Sequence, residues 1–104
     1  MKYLDTQTNL LYDTEKMELV FKGKLQCGVT GMGTTCKWKV WKTQYEHQGK
    51  SFTVALAYCE KTGTILNHLP DIQEFLGDHY ADEKAKKAYD LIFGEPKYVG
   101  NPAS

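Results

Sequence analysis

The sequence predicts an α+β fold, an antiparallel sheet of about four to five strands with one or two C-terminal helices packed on one face. Three observations predict it. Apolar residues alternate with period two through the first two thirds of the chain. Helical periodicity appears only after Pro70. Strand and turn signals follow one another with no helix between them. β-α-β alternation, the mark of a parallel sheet, is missing.

Length and composition set the scale. A chain of 104 residues supports one core and not two. One domain is expected over residues 1–95, followed by an extended tail over 96–104. With 41% hydrophobic and 25% charged residues, the composition is that of a globular protein rather than a disordered one.

The elements follow in order. Leu10-Leu11-Tyr12 and Met17 to Phe21 flank the polar run Asp13-Thr14-Glu15-Lys16, a pattern that predicts a short hairpin. Met17, Leu19 and Phe21 alternate onto one face, and Leu25-Gln26-Cys27 extends the sheet. Gly28 to Thr35 holds three glycines and predicts a loop or irregular crossing. Cys36 to Tyr45 and Ser51 to Cys59 predict antiparallel neighbours joined through Glu46 to Lys50. On the second strand Phe52, Val54, Leu56 and Tyr58 share one face, and Thr53, Ala55, Ala57 and Cys59 the other. Glu60 to Gly63 predicts a further turn into Thr64-Ile65-Leu66-Asn67. One helix starts near Pro70 and breaks at Gly77-Asp78. A second runs from about Tyr80 to Phe93 and stops at Gly94. Its inward stripe is Ala81, Ala85, Ala88, Tyr89 and Ile92, and the alanines allow close approach to Ala55 and Ala57 on the sheet.

Charge narrows the function classes. Formal net charge is zero, and all thirteen basic residues are lysine. Arginine supplies bidentate recognition of phosphate and guanine, so its absence argues against sequence-specific DNA reading. A lysine-only basic set is also what an AT-rich genome encodes, which points to a bacterial or phage accessory protein. The neutrality hides a division: residues 22–50 sum to +5 and residues 71–95 to −4. Such asymmetry steers charged partners. No apolar run reaches membrane-spanning length, the N-terminal residues do not read as a signal peptide, and three cysteines fit a reducing compartment. A cytoplasmic location with no membrane contact is expected.

No catalytic motif emerges. The glycine stretch lacks the lysine and the following helix of a phosphate loop. Cys27, Cys36, Cys59 and His68 are the candidate metal ligands, as three thiolates and an imidazole suit tetrahedral zinc. Their eight-residue spacings lack the close pairs of structural zinc sites. No cofactor is expected. His47, His68 and His79 sit in no arrangement that would activate a thiol.

The remaining candidates are binding residues. In Lys37-Trp38-Lys39-Val40-Trp41-Lys42 the two tryptophans point to opposite faces of a strand, Trp38 to the core and Trp41 to the lysine side. Lys37, Lys39, Trp41 and Lys42 are one candidate partner-binding set, and the acidic Asp78, Asp82 and Glu83 another. The expected function is a small non-catalytic protein-binding domain, such as an inhibitor or adaptor of a nucleic-acid enzyme whose basic surface the acids would oppose. The alternatives are a weak, non-sequence-specific nucleic-acid binder through the Lys/Trp strand and a zinc-stabilised domain. An open sheet edge would also permit a homodimer by strand addition.

Overall fold

The computed structural model describes residues 1–26, 35–97 and 99–100. The glycine-rich stretch up to Thr34, Cys27, Tyr98 and the last four residues lie outside the described residues. Among the described residues six strands precede two α-helices: β1 (Lys2–Asp5), β2 (Leu10–Asp13), β3 (Glu18–Gln26), β4 (Thr35–His47), β5 (Lys50–Cys59), β6 (Ile65–Leu66), α1 (Leu69–Asp78) and α2 (Glu83–Phe93). Strands β3-β4-β5-β6 form an antiparallel meander, and β1-β2 a separate antiparallel pair. The α+β expectation holds.

The long β4-β5 hairpin turns on two residues. Gln48 and Gly49 have φ of 52° and 77°, the positive pair required by a type I′ turn, whose twist matches that of the flanking strands. Register then fixes the faces. Val40 pairs with Ala57 and Trp38 with Cys59, while Trp41 pairs with Leu56 and Lys39 with Tyr58. Odd and even positions therefore separate cleanly between the two sides of the sheet.

The helices cover the Trp38 side. Phe21, Leu25, Cys36, Trp38, Val40, Ala55, Ala57 and Cys59 are buried there against Ile72, Leu76, Ala85 and Ala88. Trp38 packs on Phe75 with ring centroids 4.3 Å apart, a tilted aromatic contact that adds to simple area burial. Opposite Trp38 on β3 stands Gly23. A Cβ there would meet the Phe21 ring at 3.2 Å, so glycine lets that ring lie over the strand. On α2, Ala85 and Ala88 are fully buried, Tyr89 and Ile92 are half-buried and Ala81 is exposed. The predicted stripe thus holds except at Ala81, which precedes the helix. Asp82 caps α2 by accepting from the Lys84 and Ala85 N–H groups at 2.9 and 3.1 Å.

One predicted pairing is corrected. Leu10–Asp13 pairs with Lys2–Asp5 and not with the strand after it. Thr14–Lys16 forms a 3₁₀ turn, capped by the Asp13 carboxylate accepting from the Glu15 N–H, and carries the chain into the second sheet. Four-residue strands with little alternation leave such a choice to tertiary packing. The β1-β2 pair lies over the far side of the meander at the end away from Cys36, where Leu10–Asp13, Thr43, Tyr45 and Val54 share a cleft of about 170 Å³. Leu56, on that side, is fully buried outside the helix-side core. Asp5 ties the pair down by accepting from the Asn67 amide at 2.7 Å and the Gln7 N–H at 3.0 Å. No helix among the described residues is long and apolar enough to cross a membrane.

Candidate functional site

The side of the meander away from the helices divides into two ends. The β1-β2 pair occupies one. The other carries lysine. Because Phe21 and Leu25 turn toward the helices, Lys22 and Lys24 turn away from them. On β4, Lys37 and Lys39 do the same. Register then places Lys22 directly opposite Lys39 and Lys24 directly opposite Lys37.

Two like-charge pairs, directly opposed and two residues apart along the strands, bring four lysines together on one face. Directly opposed like charges destabilise a sheet, so fold stability does not account for this arrangement. Asp82 and Glu83 of α2 line a depression with Lys24, and among the described residues one ion pair offsets the cluster: Glu60 lies 3.2 Å from Lys39 Nζ. Both side chains are more than a third exposed, counting 34% and 40%, so solvent screens that pair and leaves it weak. The four lysines, Glu60 and Lys84 line an open depression of about 500 Å³. A second depression, of about 320 Å³, continues past Lys24, Lys37 and Glu60 to Lys61.

Aromatic surface begins where the lysines end. Trp41 lies two residues beyond Lys39 on the same face, between Leu19 of β3 and Leu56 of β5. Tyr58 is the cross-strand partner of Lys39. Both residues are half-buried, with part of their surface in solvent. The open face therefore reads from cations through two rings to the β1-β2 pair.

The predicted residues separate. Lys37, Lys39 and Trp41 come together. Lys42 does not join them: its register partners are Glu18 and Ala55, on the helix side. Odd and even positions on β4 part company, and Lys42 is the even one. Asp78 ends α1, Asp82 is the cap of α2 and Glu83 opens α2, so the acids belong to the helix layer. Lys22, Lys24 and Tyr58 are the residues the sequence reading missed. Lys22-Gly23-Lys24 carries the same period-two lysine pattern as Lys37-Trp38-Lys39, but only the register of β3 on β4 shows that the two coincide.

The cysteine and histidine candidates settle elsewhere. Cys36 and Cys59 are buried on the helix side. Burial pushes the Cys59 thiol up, but hydrogen bonds from the Thr62 side chain and backbone, the Lys61 backbone and Cys36 outweigh it and leave the thiol below its ordinary value. His68 is exposed at the start of α1 and caps it without a side-chain bond. Among the described residues no three His, Cys, Asp or Glu side chains are grouped to hold a metal ion. His79 stands against the Phe75 carbonyl at 2.9 Å, and His47 stacks on Tyr45 with centroids 6.0 Å apart.

No family model matches the chain, and neither does any curated protein or solved structure.

Proposed function

We propose that this chain is a non-catalytic binding domain that presents Lys22, Lys24, Lys37 and Lys39 to a polyanionic partner. The observation that carries this reading is the pair of directly opposed lysine pairs, Lys22 with Lys39 and Lys24 with Lys37. An arrangement that costs the fold stability is relieved when an anion sits across it. The chain as a whole has zero net charge. Retention by a polyanion therefore depends on local concentration of charge and not on bulk attraction.

That dependence makes the test. The natural protein is expected to stay on immobilised heparin at low salt. Replacing Lys22, Lys24, Lys37 and Lys39 by Gln should abolish retention. Replacing the exposed Lys2, Lys16, Lys50 and Lys87 by Gln makes the same change in net charge and should leave most of it. Equal losses in the two variants would remove the reading.

A protein partner is the second reading, and a different surface favours it. Leu4 and Leu11 are cross-strand partners on the outer side of the β1-β2 pair, 51% and 60% exposed. Two leucines presented side by side suit a partner's apolar contact. The acidic set supports it less, because the Asp82 carboxylate is engaged at its helix cap. Replacing Leu4 and Leu11 by Ser should weaken a protein partner and leave heparin retention unchanged.

A further inference from the structure

Resting on the polyanion reading, we infer that the partner of the lysine face is single-stranded nucleic acid, with Trp41 and Tyr58 as the surfaces on which its bases stack. The chemistry of the face distinguishes this ligand from other polyanions. Lysine is a point charge with no planar fork, so it neutralises phosphates without fixing their orientation or reading base edges. Alternate residues along a strand stand about 6.6 Å apart. Lys37, Lys39 and Trp41 thus offer two cations and then a ring at even steps along β4. The repeat of an extended polynucleotide, with a charge and a base at every step, can follow such a track.

The cross-strand register supplies the second row. Lys24 and Lys22 run alongside Lys37 and Lys39, and Tyr58 stands beside Lys39 on the other flank. Trp41 and Tyr58 are diagonal neighbours on β4 and β5, close enough for consecutive bases of one strand. Each residue has strand neighbours on both sides and is half-buried, so part of its surface stays in solvent, as a stacking surface requires. An acidic peptide would use the lysines but has no repeated π-face for the two rings. Among the described residues the face is a sheet surface with the β1-β2 pair raised at one end, and no helix projects from it to enter a major groove. Single strands fit it better than duplex.

The experiment uses the full chain and a labelled oligothymidylate of about 12 nucleotides, read by fluorescence anisotropy across a salt series. Binding is expected, with log K falling against log salt at a slope of about −3 for four phosphates neutralised on a single strand. Lys22→Gln and Lys37→Gln should each reduce that slope by about 0.7. Trp41→Leu keeps an apolar side chain beside Leu56; it should weaken binding about 5- to 100-fold with the slope unchanged. Oligothymidylate should also quench the tryptophan emission of the natural protein and not that of Trp41→Leu.

Equal or tighter binding of duplex DNA or of polyglutamate would overturn the inference and leave the polyanion reading standing. So would binding that Trp41→Leu does not alter. Failure to bind oligothymidylate, polyglutamate and heparin alike would overturn both.

Discussion

The two faces of one sheet obey different rules. On the helix side, cross-strand neighbours are Phe21 with Val40, Leu25 with Cys36 and Trp38 with Cys59, all of them buried. On the other side, the neighbours one residue along are Lys22 with Lys39 and Lys24 with Lys37. The first set is what burial selects: small and large apolar groups interleave, Gly23 makes room for the Phe21 ring, and Ala85 and Ala88 let α2 come close. The second set opposes like charges where any neutral or mixed pair would be better for the fold. A face whose arrangement works against stability is the place to look for function.

The largest expected effect lies on the helix side. Trp38 is 2% exposed, stands between Gly23 of β3 and Cys59 of β5 in the sheet and packs its ring on Phe75 of α1. Trp38→Ala is expected to destabilise the protein by about 3–5 kcal/mol, measured by urea unfolding. Its indole N–H is buried with no acceptor among the described residues, so its contribution comes from packing. Chains that remain folded should keep most of their affinity for oligothymidylate, because the four lysines and Trp41 are unchanged, although Trp38 also lines one edge of the depression. A parallel loss of affinity in the folded fraction would mean that the two faces are coupled and the division drawn between them is wrong.

A smaller effect tests what holds the β1-β2 pair on the open face. The Asp5 carboxyl is held below its ordinary value. Burial raises it, but the Gln7 N–H, the Asn67 amide and the Thr8 side chain and N–H together lower it further. A depressed carboxylate contributes stability that is present above its unfolded pKa and lost as pH falls through its folded one. Acidification below the ordinary carboxylate range should therefore protonate Asp5, weaken its bonds and loosen β1-β2 before the meander opens. Hydrogen exchange should show amides of Lys2–Asp5 and Leu10–Asp13 losing protection ahead of those of β4 and β5. In Asp5→Asn the pair should already be loosened at neutral pH, with that early acid step gone. Simultaneous loss of protection in both sheets would show that Asp5 does not act as a separate fastening.

How much of this was readable from sequence depends on whether local pattern or register decides. The helix-side faces of β4 and β5, the start of α1 near Pro70 and the end of α2 at Gly94 follow from alternation, proline and glycine, which act over a few residues. The β1-β2 pairing does not, because Leu10-Leu11-Tyr12 is equally good beside either neighbour and the choice falls to tertiary contacts such as the bond from Asn67 to Asp5, 62 residues away. The lysine face was half readable. Lys37, Lys39 and Trp41 share a face by period two. The same rule sends Lys42 to the other side, although it follows Trp41 directly in sequence. Lys22 and Lys24 needed the β3-β4 register, including the irregularity between Leu19 and Phe21, and a one-residue slip there would have turned both toward the helices.

The smallest expected effect in energy is the sharpest test of the comparison. Lys22→Glu places an acid directly opposite Lys39 and replaces a repulsive cross-strand pair with an attractive one. It should stabilise the protein by about 0.2–1 kcal/mol, read as a higher urea midpoint with unchanged slope. The same substitution removes one cation from the lysine face and adds an anion, so affinity for oligothymidylate should fall and its salt dependence should flatten. Opposite signs for stability and binding are what a face kept for a ligand requires. If Lys22→Glu destabilised the fold, Lys22 would be serving the sheet in its natural charge state, and the lysine pairs would lose their claim to be a binding surface held against the interest of the fold.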